Sequence, residues 1–330
     1  MKIEIRPGPL GIEGGEPFPE FRPELEAIQK AHRFIRPWLM RLIPNSLIVK
    51  AMRKGFGYPN RDIAKKPITV RHRSIPGPGG EIPLRIYSPE GEGLPILLYF
   101  HGGGWVAGSV EAVENICRGI ADRAGFIVIN VDYRLAPEHK FPAGLEDSYA
   151  ALLWAAEHGE ELGGDSSHLV VAGDSAGGNF ATVCCLLAHE RHGPPIARQV
   201  LIYPGVDLSG RCAEETGEPE YGKAPNLGDF MQAAYVENKE LVTHPHCSPW
   251  LAETFDGMPP ALVLTAEYCF IRDQGEAYAQ KLDAAGVPTR TVRYNGLGHA
   301  FLDKVGVWPQ ADACIDEIAK VLVMDIRKQD

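Results

Sequence analysis

Short apolar runs alternate with longer amphipathic segments along most of this chain, from about residue 68 to the C-terminus. The short runs are rich in β-branched residues, which is typical of buried strands. The longer segments place apolar residues three or four positions apart, as on one face of a helix. The runs predict strands at Ile68–Ile75, Ile82–Tyr87, Ile96–Phe100, Phe126–Val131, His168–Ala172, Arg198–Tyr203, Ala261–Ala266 and Thr289–Tyr294. The longer segments predict helices at Val110–Ala124, Ala143–Glu157, Gly177–Arg191, Arg272–Ala285 and Gln310–Met324.

This alternation predicts an α/β fold with a mostly parallel sheet, because parallel neighbours need crossover connections and helices usually supply them. Two segments depart from the alternation. Residues 1–60 carry a helical pattern through Glu24–Leu42, and residues 207–250 contain no predicted strand. The chain has no internal repeat and no low-complexity segment.

A serine stands between two glycines directly after a predicted strand, in the sequence Gly-Asp-Ser-Ala-Gly at 173–177. A strand before such a motif and a helix after it are the context of a nucleophile elbow. The turn strains the backbone of its serine, so neighbouring positions cannot carry bulky side chains. The motif predicts that Ser175 is a nucleophile and that the Ala176 N–H is one donor of an oxyanion hole.

A second glycine-rich motif, His-Gly-Gly-Gly-Trp at 101–105, follows the apolar run 94–100. Glycines in such a loop let backbone N–H groups turn towards a developing negative charge. The alternative interpretation is a tight turn with a structural histidine. With 36 glycines in the chain, Gly-x-Ser-x-Gly alone is a weak signal, but the two motifs in this order are specific.

These motifs and three others resemble the hormone-sensitive-lipase-like family of α/β-hydrolase esterases. The other three are Asp-Tyr-Arg-Leu-Ala-Pro-Glu-His at 132–139, Phe-Pro-Ala at 141–143 and Gly-His-Ala-Phe at 298–301. The resemblance implies an α/β-hydrolase fold, with an eight-stranded, mostly parallel sheet flanked by helices and covered by a helical cap. It divides the chain into an N-terminal cap segment (1–60), a catalytic domain (61–206 and 251–330) and a cap insertion (207–250).

The resemblance also implies site residues. Gly103, Gly104 and Ala176 would supply the oxyanion N–H groups, with His101 orienting their loop. Phe34, Trp38 and Leu39, together with Ile35, would line an acyl pocket, although they could equally bury against the main domain. His299 is the predicted base, because the histidine of an α/β-hydrolase triad follows the last strand and none of the other ten histidines does.

The position of the triad acid departs from the family pattern. The family reads Glu-Tyr-Asp-Pro-Leu-Arg-Asp-Glu-Gly after its seventh strand, whereas this chain reads Glu-Tyr-Cys-Phe-Ile-Arg-Asp-Gln-Gly at 267–275. Cys269 therefore occupies the acid position, and a thiol is a weak partner that is mostly neutral at pH 7, with an ordinary pKa of about 8.5. Its ionisation would predict activity that climbs on the alkaline side.

Three interpretations of this departure remain open at this point. In the first interpretation, Asp273 or Glu267 substitutes for the missing acid. However, Asp273 lies about one helical turn further on, and Glu267 should face the other side of its strand. In the second interpretation, which we favour, the site works as an impaired Ser–His pair. Loss of the acid in known triads lowers turnover by about four orders of magnitude yet leaves residual catalysis. In the third interpretation, the cysteine is a deliberate replacement of the natural residue.

The composition of the chain limits the classes of molecule that it is expected to bind. The chain carries 33 Lys and Arg against 43 Asp and Glu, a formal net charge of −10, which argues against nucleic acid and anionic membranes. Seven cysteines without regular spacing predict reduced thiols and no metal site, and no cofactor is expected. The lack of a signal peptide or membrane-spanning run predicts a cytoplasmic protein, and a homodimer is compatible with the sequence.

The sequence thus predicts a carboxylesterase for short to medium acyl esters that forms a serine acyl-enzyme and is impaired by Cys269. The chief alternative is a non-catalytic small-molecule binder on the same fold, because plant gibberellin receptors resemble this family and have lost a triad member. An amidase or peptidase that shares the elbow is a further alternative.

Overall fold

The computed structural model of the chain describes residues 1–27, 45–55, 57, 59–217 and 227–326. Nine strands form one mixed sheet. They are β1 (Ile3–Arg6), β2 (Thr69–Gly77), β3 (Gly80–Ser88), β4 (Leu94–Phe100), β5 (Ile127–Val131), β6 (Gly164–Asp174), β7 (Arg198–Ile202), β8 (Ala261–Tyr268) and β9 (Thr289–Gly298).

The α-helices with described bounds are α1 (Asn45–Gly55), α2 (Glu114–Ala124), α3 (Ala143–His158), α4 (Ala176–Glu190), α5 (Arg211–Thr216), α6 (Leu227–Tyr235), α7 (Arg272–Ala284) and α8 (Pro309–Ile326). Residues 22–27 are also helical, and most of the helical pattern predicted at Glu24–Leu42 lies outside the described residues. Helices α2 and α8 pack together on one face of the sheet, and α3 and α4 pack on the other. None of the helices in the described ranges is long and apolar enough to cross a membrane. The α/β prediction is confirmed.

The sheet order is β1-β9-β8-β7-β6-β4-β5-β3-β2. All neighbours are parallel except β2 with β3 and β3 with β5. The carboxyl ends of β4, β6, β8 and β9 therefore meet at one edge, which is where ligands bind in open α/β sheets. Both faces of the central strands are covered, and their residues are accordingly almost all apolar and buried.

The sheet has one strand more than the eight predicted. The additional strand β1 pairs in parallel with β9, from Ile3 opposite Thr291 to Arg6 opposite Tyr294. The first residues of the segment predicted as a cap therefore belong to the sheet. Four residues are too few for a periodicity signal, and this edge strand is only partly buried, so its pattern did not stand out.

Candidate active site

The nucleophile elbow joins β6 to α4. Ser175 has φ 53° and ψ −115°, a positive-φ backbone conformation that residues other than glycine rarely adopt. Gly177 is required by close approach, since a Cβ there would stand 1.9 Å from the carbonyl oxygen of Phe100. The Ser175 N–H donates to the carbonyl of Ile202 at 2.8 Å, which ties the turn to β7.

His299 contacts Ser175 and Cys269 through its two ring nitrogens. Its Nε2 lies 3.0 Å from Ser175 Oγ. Its Nδ1 lies 3.0 Å from Cys269 Sγ. His299 follows β9, Ser175 follows β6 and Cys269 follows β8. Ser175 lies 124 positions and Cys269 lies 30 positions before His299 in the sequence. The structure thus brings together the predicted nucleophile, the predicted base and the residue at the acid position.

The two carboxylates considered as substitute acids face elsewhere. Glu267 accepts hydrogen bonds from the backbone N–H groups of Gly15 and Gly296, at 2.5 and 2.7 Å. Asp273 is paired with the guanidinium of the neighbouring Arg272 at 2.7 Å. Because both nitrogens of His299 already have partners, neither carboxylate is hydrogen-bonded to the imidazole in this arrangement.

Burial leaves both the imidazole and the thiol neutral. Cys269 is fully buried, and desolvation raises its pKa to about 12 despite a backbone hydrogen bond from Ile271 and the nearby charge of Arg272. Desolvation likewise lowers the pKa of His299 to about 4. The alkaline ionisation expected from an ordinary thiol is therefore displaced beyond the usual assay range. His299 is free to accept a proton at neutral pH, but its cation gains no charged partner.

The predicted oxyanion loop follows β4 and lies against the elbow. Gly103 and Gly104 have φ values of 127° and 61°, and Gly103 is wholly enclosed, since a Cβ there would stand 2.1 Å from the Ala107 carbonyl oxygen. Neither glycine donates its N–H to another residue that the structure describes. Ala176 begins α4, so its N–H has no acceptor within the helix either.

His101 holds this loop from behind. Its Nδ1 lies 2.8 Å from the Gly102 carbonyl oxygen, and its ring stacks on Tyr133 with 4.3 Å between centroids. The Tyr133 hydroxyl donates to the His101 carbonyl at 2.6 Å. Burial lowers the pKa of His101 to about 4, so it contributes a neutral ring.

Asp174 was present in the elbow motif, but sequence reasoning gave it no role. Its Oδ1 accepts hydrogen bonds from the Gly102 N–H at 3.0 Å and from the Tyr99 hydroxyl at 2.9 Å. The carboxyl group is buried, and desolvation raises its pKa to about 6. It links the residue before the nucleophile to the residue before the oxyanion glycines. Its place in the motif was the only signal in the sequence.

Apolar side chains surround the reacting groups. Trp105 stacks on Tyr235 of α6 with 4.5 Å between ring centroids, and Phe270, which is 39% exposed, lies 4.6 Å from the His299 ring. Met231 of α6 covers the oxyanion loop, with its Sδ 2.2 Å from where a Cβ on Gly104 would stand. The predicted pocket residues Phe34, Ile35, Trp38 and Leu39 lie outside the described residues.

All seven cysteines are free thiols and are buried. His244 and His246 lie close together, but His246 Nε2 is paired with Glu190 at 2.8 Å. Within the ranges that the structure describes, no three His, Cys, Asp or Glu side chains form a group that could hold a metal ion.

Comparison with known proteins shows which family the chain belongs to. A profile described as the alpha/beta hydrolase fold matches residues 97–303. Carboxylic ester hydrolase LipN of Mycobacterium tuberculosis is 40% identical over 248 residues, which are 72% of this chain and 65% of LipN. Carboxylesterase NlhH of the same species is 40% identical over 238 residues, covering 70% of this chain and 74% of NlhH. A solved esterase from Pyrobaculum calidifontis superposes with a TM-score of 0.79 at 37% identity, covering 93% of this chain and 98% of that one.

The matched region spans β4 to β9 and includes Ser175, Cys269 and His299. The chain covers less than two thirds of LipN, but nearly the whole of the solved esterase. Family profile, sequence relatives and solved structure agree on one architecture, and we conclude that this chain belongs to the alpha/beta hydrolase fold family.

Proposed function

We propose that this protein is a serine carboxylesterase that hydrolyses short to medium acyl esters. The observation that carries the proposal is the unbroken contact from Ser175 Oγ through His299 to Cys269 Sγ, with 3.0 Å at each step. The relatives named esterase or carboxylesterase support the same reaction class. The glycine-rich motifs at 101–105 and 173–178 support a place in the hormone-sensitive-lipase-like branch.

The reaction begins when Ser175 attacks the ester carbonyl and His299 takes its proton. The backbone N–H groups of Gly103, Gly104 and Ala176 stabilise the resulting oxyanion; loss of one such donor costs about two to three orders of magnitude in turnover. His299 returns the proton to the leaving alcohol. Water, activated by the same imidazole, then releases the acid from the acyl-enzyme.

Cys269 weakens this cycle at one point. When His299 becomes an imidazolium, a carboxylate at its Nδ1 would stabilise the charge and fix the ring. The neutral thiol does neither well, because sulfur is a weak hydrogen-bond partner and its pKa is raised to about 12. The enzyme therefore works as a Ser–His pair with reduced turnover.

The substrate class follows from the surroundings of the serine. Trp105, Met231 and Phe270 offer an apolar surface beside the reacting groups, and the net charge of −10 disfavours anionic substrates. Met231 and the Trp105–Tyr235 stack limit the space over the oxyanion loop. We infer an uncharged ester with a short to medium acyl group.

The test is burst release of p-nitrophenol from p-nitrophenyl butyrate, together with labelling by an organophosphonate. We expect a burst and one label per chain, and the Ser175→Ala variant should lose both because no other side chain occupies the elbow. The second candidate, a non-catalytic binder, is favoured only by the missing acid. It predicts tight binding of the ester with neither burst nor label.

A further inference from the structure

Glu267 lies two residues before Cys269, and it has no role in the reaction described above. Its carboxylate bridges two backbone segments that are 281 positions apart. Oε1 accepts from the N–H of Gly15 at 2.5 Å, and Oε2 accepts from the N–H of Gly296 at 2.7 Å. Gly296 is three residues before His299. We use the name histidine loop for residues 295–299, which are the last four residues of β9 and His299 itself.

The segment that Gly15 belongs to runs along this loop. We call residues 8–21 the N-terminal strap. Its Phe18 N–H donates to the Gly296 carbonyl at 2.9 Å, and its Ile12 carbonyl accepts from Asn295 Nδ2 at 3.1 Å. A Cβ on Gly298 would stand 2.2 Å from Cζ of Phe21, so the ring of Phe21 packs directly on the residue before His299.

Among these contacts between the histidine loop and the strap, the bridge through Glu267 is the one made by a carboxylate. Hydrogen bonds to a charged acceptor are roughly twice as strong as neutral ones. The same carboxylate belongs to β8, two residues before Cys269. Glu267 therefore adds a side-chain tie between the end of β8, next to the thiol, and the end of β9, which pairs with β8 as far as Tyr268 opposite Gly298.

We propose that Glu267 is a positioning residue of the ester hydrolysis: it locks the histidine loop between β8 and the N-terminal strap, and so supplies the orientation of His299 that the neutral thiol supplies only weakly. This inference rests on the proposed function. In a triad with a carboxylate at position 269, the acid itself would orient the ring, and the lock would matter less.

The experiment is a double-mutant cycle with Glu267→Ala and Cys269→Asp, followed by steady-state hydrolysis of p-nitrophenyl butyrate. In the Cys269 protein, Glu267→Ala should lower kcat by roughly ten- to a hundredfold and change KM by less than about threefold, because the loss falls on the transition state. In the Cys269→Asp background, the same change should cost less than about threefold in kcat.

Glu267→Gln should be intermediate, since one amide oxygen cannot serve both N–H groups at their present positions. The matched control is Glu16→Gln. Glu16 also lies in the strap, but its carboxylate pairs with Arg22 at 2.6 Å and does not contact the histidine loop. We expect the control to retain its kcat.

An equal loss in both backgrounds would overturn the proposal, as would a loss that the Glu16→Gln control shares. If Glu267→Ala does not fold, Asn295→Ala removes a different contact of the same loop and should lower kcat with an unchanged KM; no effect on kcat would then contradict the proposal. Failure of the proposed function is separate, because it appears as turnover that survives Ser175→Ala.

Discussion

At the scale of single residues, two groups beside Cys269 favour a negative charge on its sulfur, whereas burial and the carboxylates of Asp273 and Glu276 oppose it. A backbone N–H of Ile271 is directed at the sulfur, and Arg272 lies close enough for its charge to stabilise a negative group there. The residue is fully buried, so these favourable contacts do not overcome the desolvation that keeps the thiol neutral. A carboxylate has a much lower ordinary pKa and would ionise in the same place.

The pH profile of kcat/KM should reflect this neutral pair. Hydrolysis needs His299 unprotonated, and its pKa is lowered to about 4, so activity should stay level from about pH 5 upwards and fall as the pH drops through about 4. In the Cys269→Asp variant the new carboxylate should raise the pKa of His299 and move this acidic limb upwards, towards about 6.5. A limb at the same pH in both proteins would show that position 269 does not interact with the imidazole.

At the scale of elements, catalysis depends on how the ends of β4 and β6 are joined. Asp174 ends β6, and its carboxylate holds the Gly102 N–H that follows β4. The same group accepts the Tyr99 hydroxyl from within β4. Nucleophile and oxyanion donors thus keep their spacing through one buried side chain.

Substitutions of Asp174 should distinguish the effect of its hydrogen bonds, which position the oxyanion loop, from the effect of its charge. Asp174→Asn keeps an acceptor oxygen for the Gly102 N–H and should reduce kcat by less than about tenfold. Asp174→Ala leaves two buried donors unpaired and lets the oxyanion loop move, so kcat should fall by about two to three orders of magnitude. The measurement is steady-state hydrolysis, with the thermal midpoint of each variant as control. Equal losses for Asn and Ala would assign the effect to the charge instead.

Helix α6 places Met231 over the oxyanion loop, where we expect its side chain to limit the depth of the site. Activity should peak at acyl chains of roughly two to eight carbons, because each buried CH₂ gains about 0.8 kcal/mol only while space remains. Met231→Ala removes the side chain over Gly104 and should move the peak to longer acyl chains in a series of p-nitrophenyl esters. Phe230→Ala, one position away on the same helix, is the matched control. An unmoved peak would exclude Met231 as the limit.

At the scale of the whole molecule, the N-terminus is part of the catalytic sheet. Strand β1 is held on β9 by a charged network in which Arg290 pairs with Glu4 and Glu317, at 2.6 Å each, and Arg6 also pairs with Glu317. The guanidinium of Arg290 lowers the pKa of Glu4 to about 2. The strap follows β1 in the chain, and the histidine loop is the end of its partner strand β9.

Arg290→Ala should lower the thermal midpoint by about 2–4 °C at neutral pH, because a network of charges is worth more than a single surface pair. Arg22→Ala breaks one exposed pair with Glu16 and should lower it by about 1 °C or less. Since the pKa of Glu4 is lower in the folded state, its contribution is present above about pH 4.5 and is lost as the pH falls through about 2. The gap between the two variants should therefore narrow in acid, and a constant gap would contradict the electrostatic explanation.

The sequence was most informative where the fold depends on local patterns. All eight predicted strands and all five predicted helices occur within a few residues of their expected bounds, because each has a clear period and clear flanking turns. Strand β1 was missed because an edge strand of four residues carries little pattern. The roles of Asp174 and Glu267 were missed for a different reason, since each depends on backbone N–H groups that only the folded sheet brings near.

The most direct test of the account is the kcat of Cys269→Asp with p-nitrophenyl butyrate, measured beside Asp273→Asn and with Ser175→Ala as the inactive reference. We expect a carboxylate beside His299 Nδ1 to raise kcat between tenfold and about ten-thousandfold, given what loss of the acid costs other triads, and we expect Asp273→Asn to leave kcat unchanged. An unchanged kcat for Cys269→Asp together with loss of turnover in Asp273→Asn would contradict the account, because Asp273 would then be the working acid.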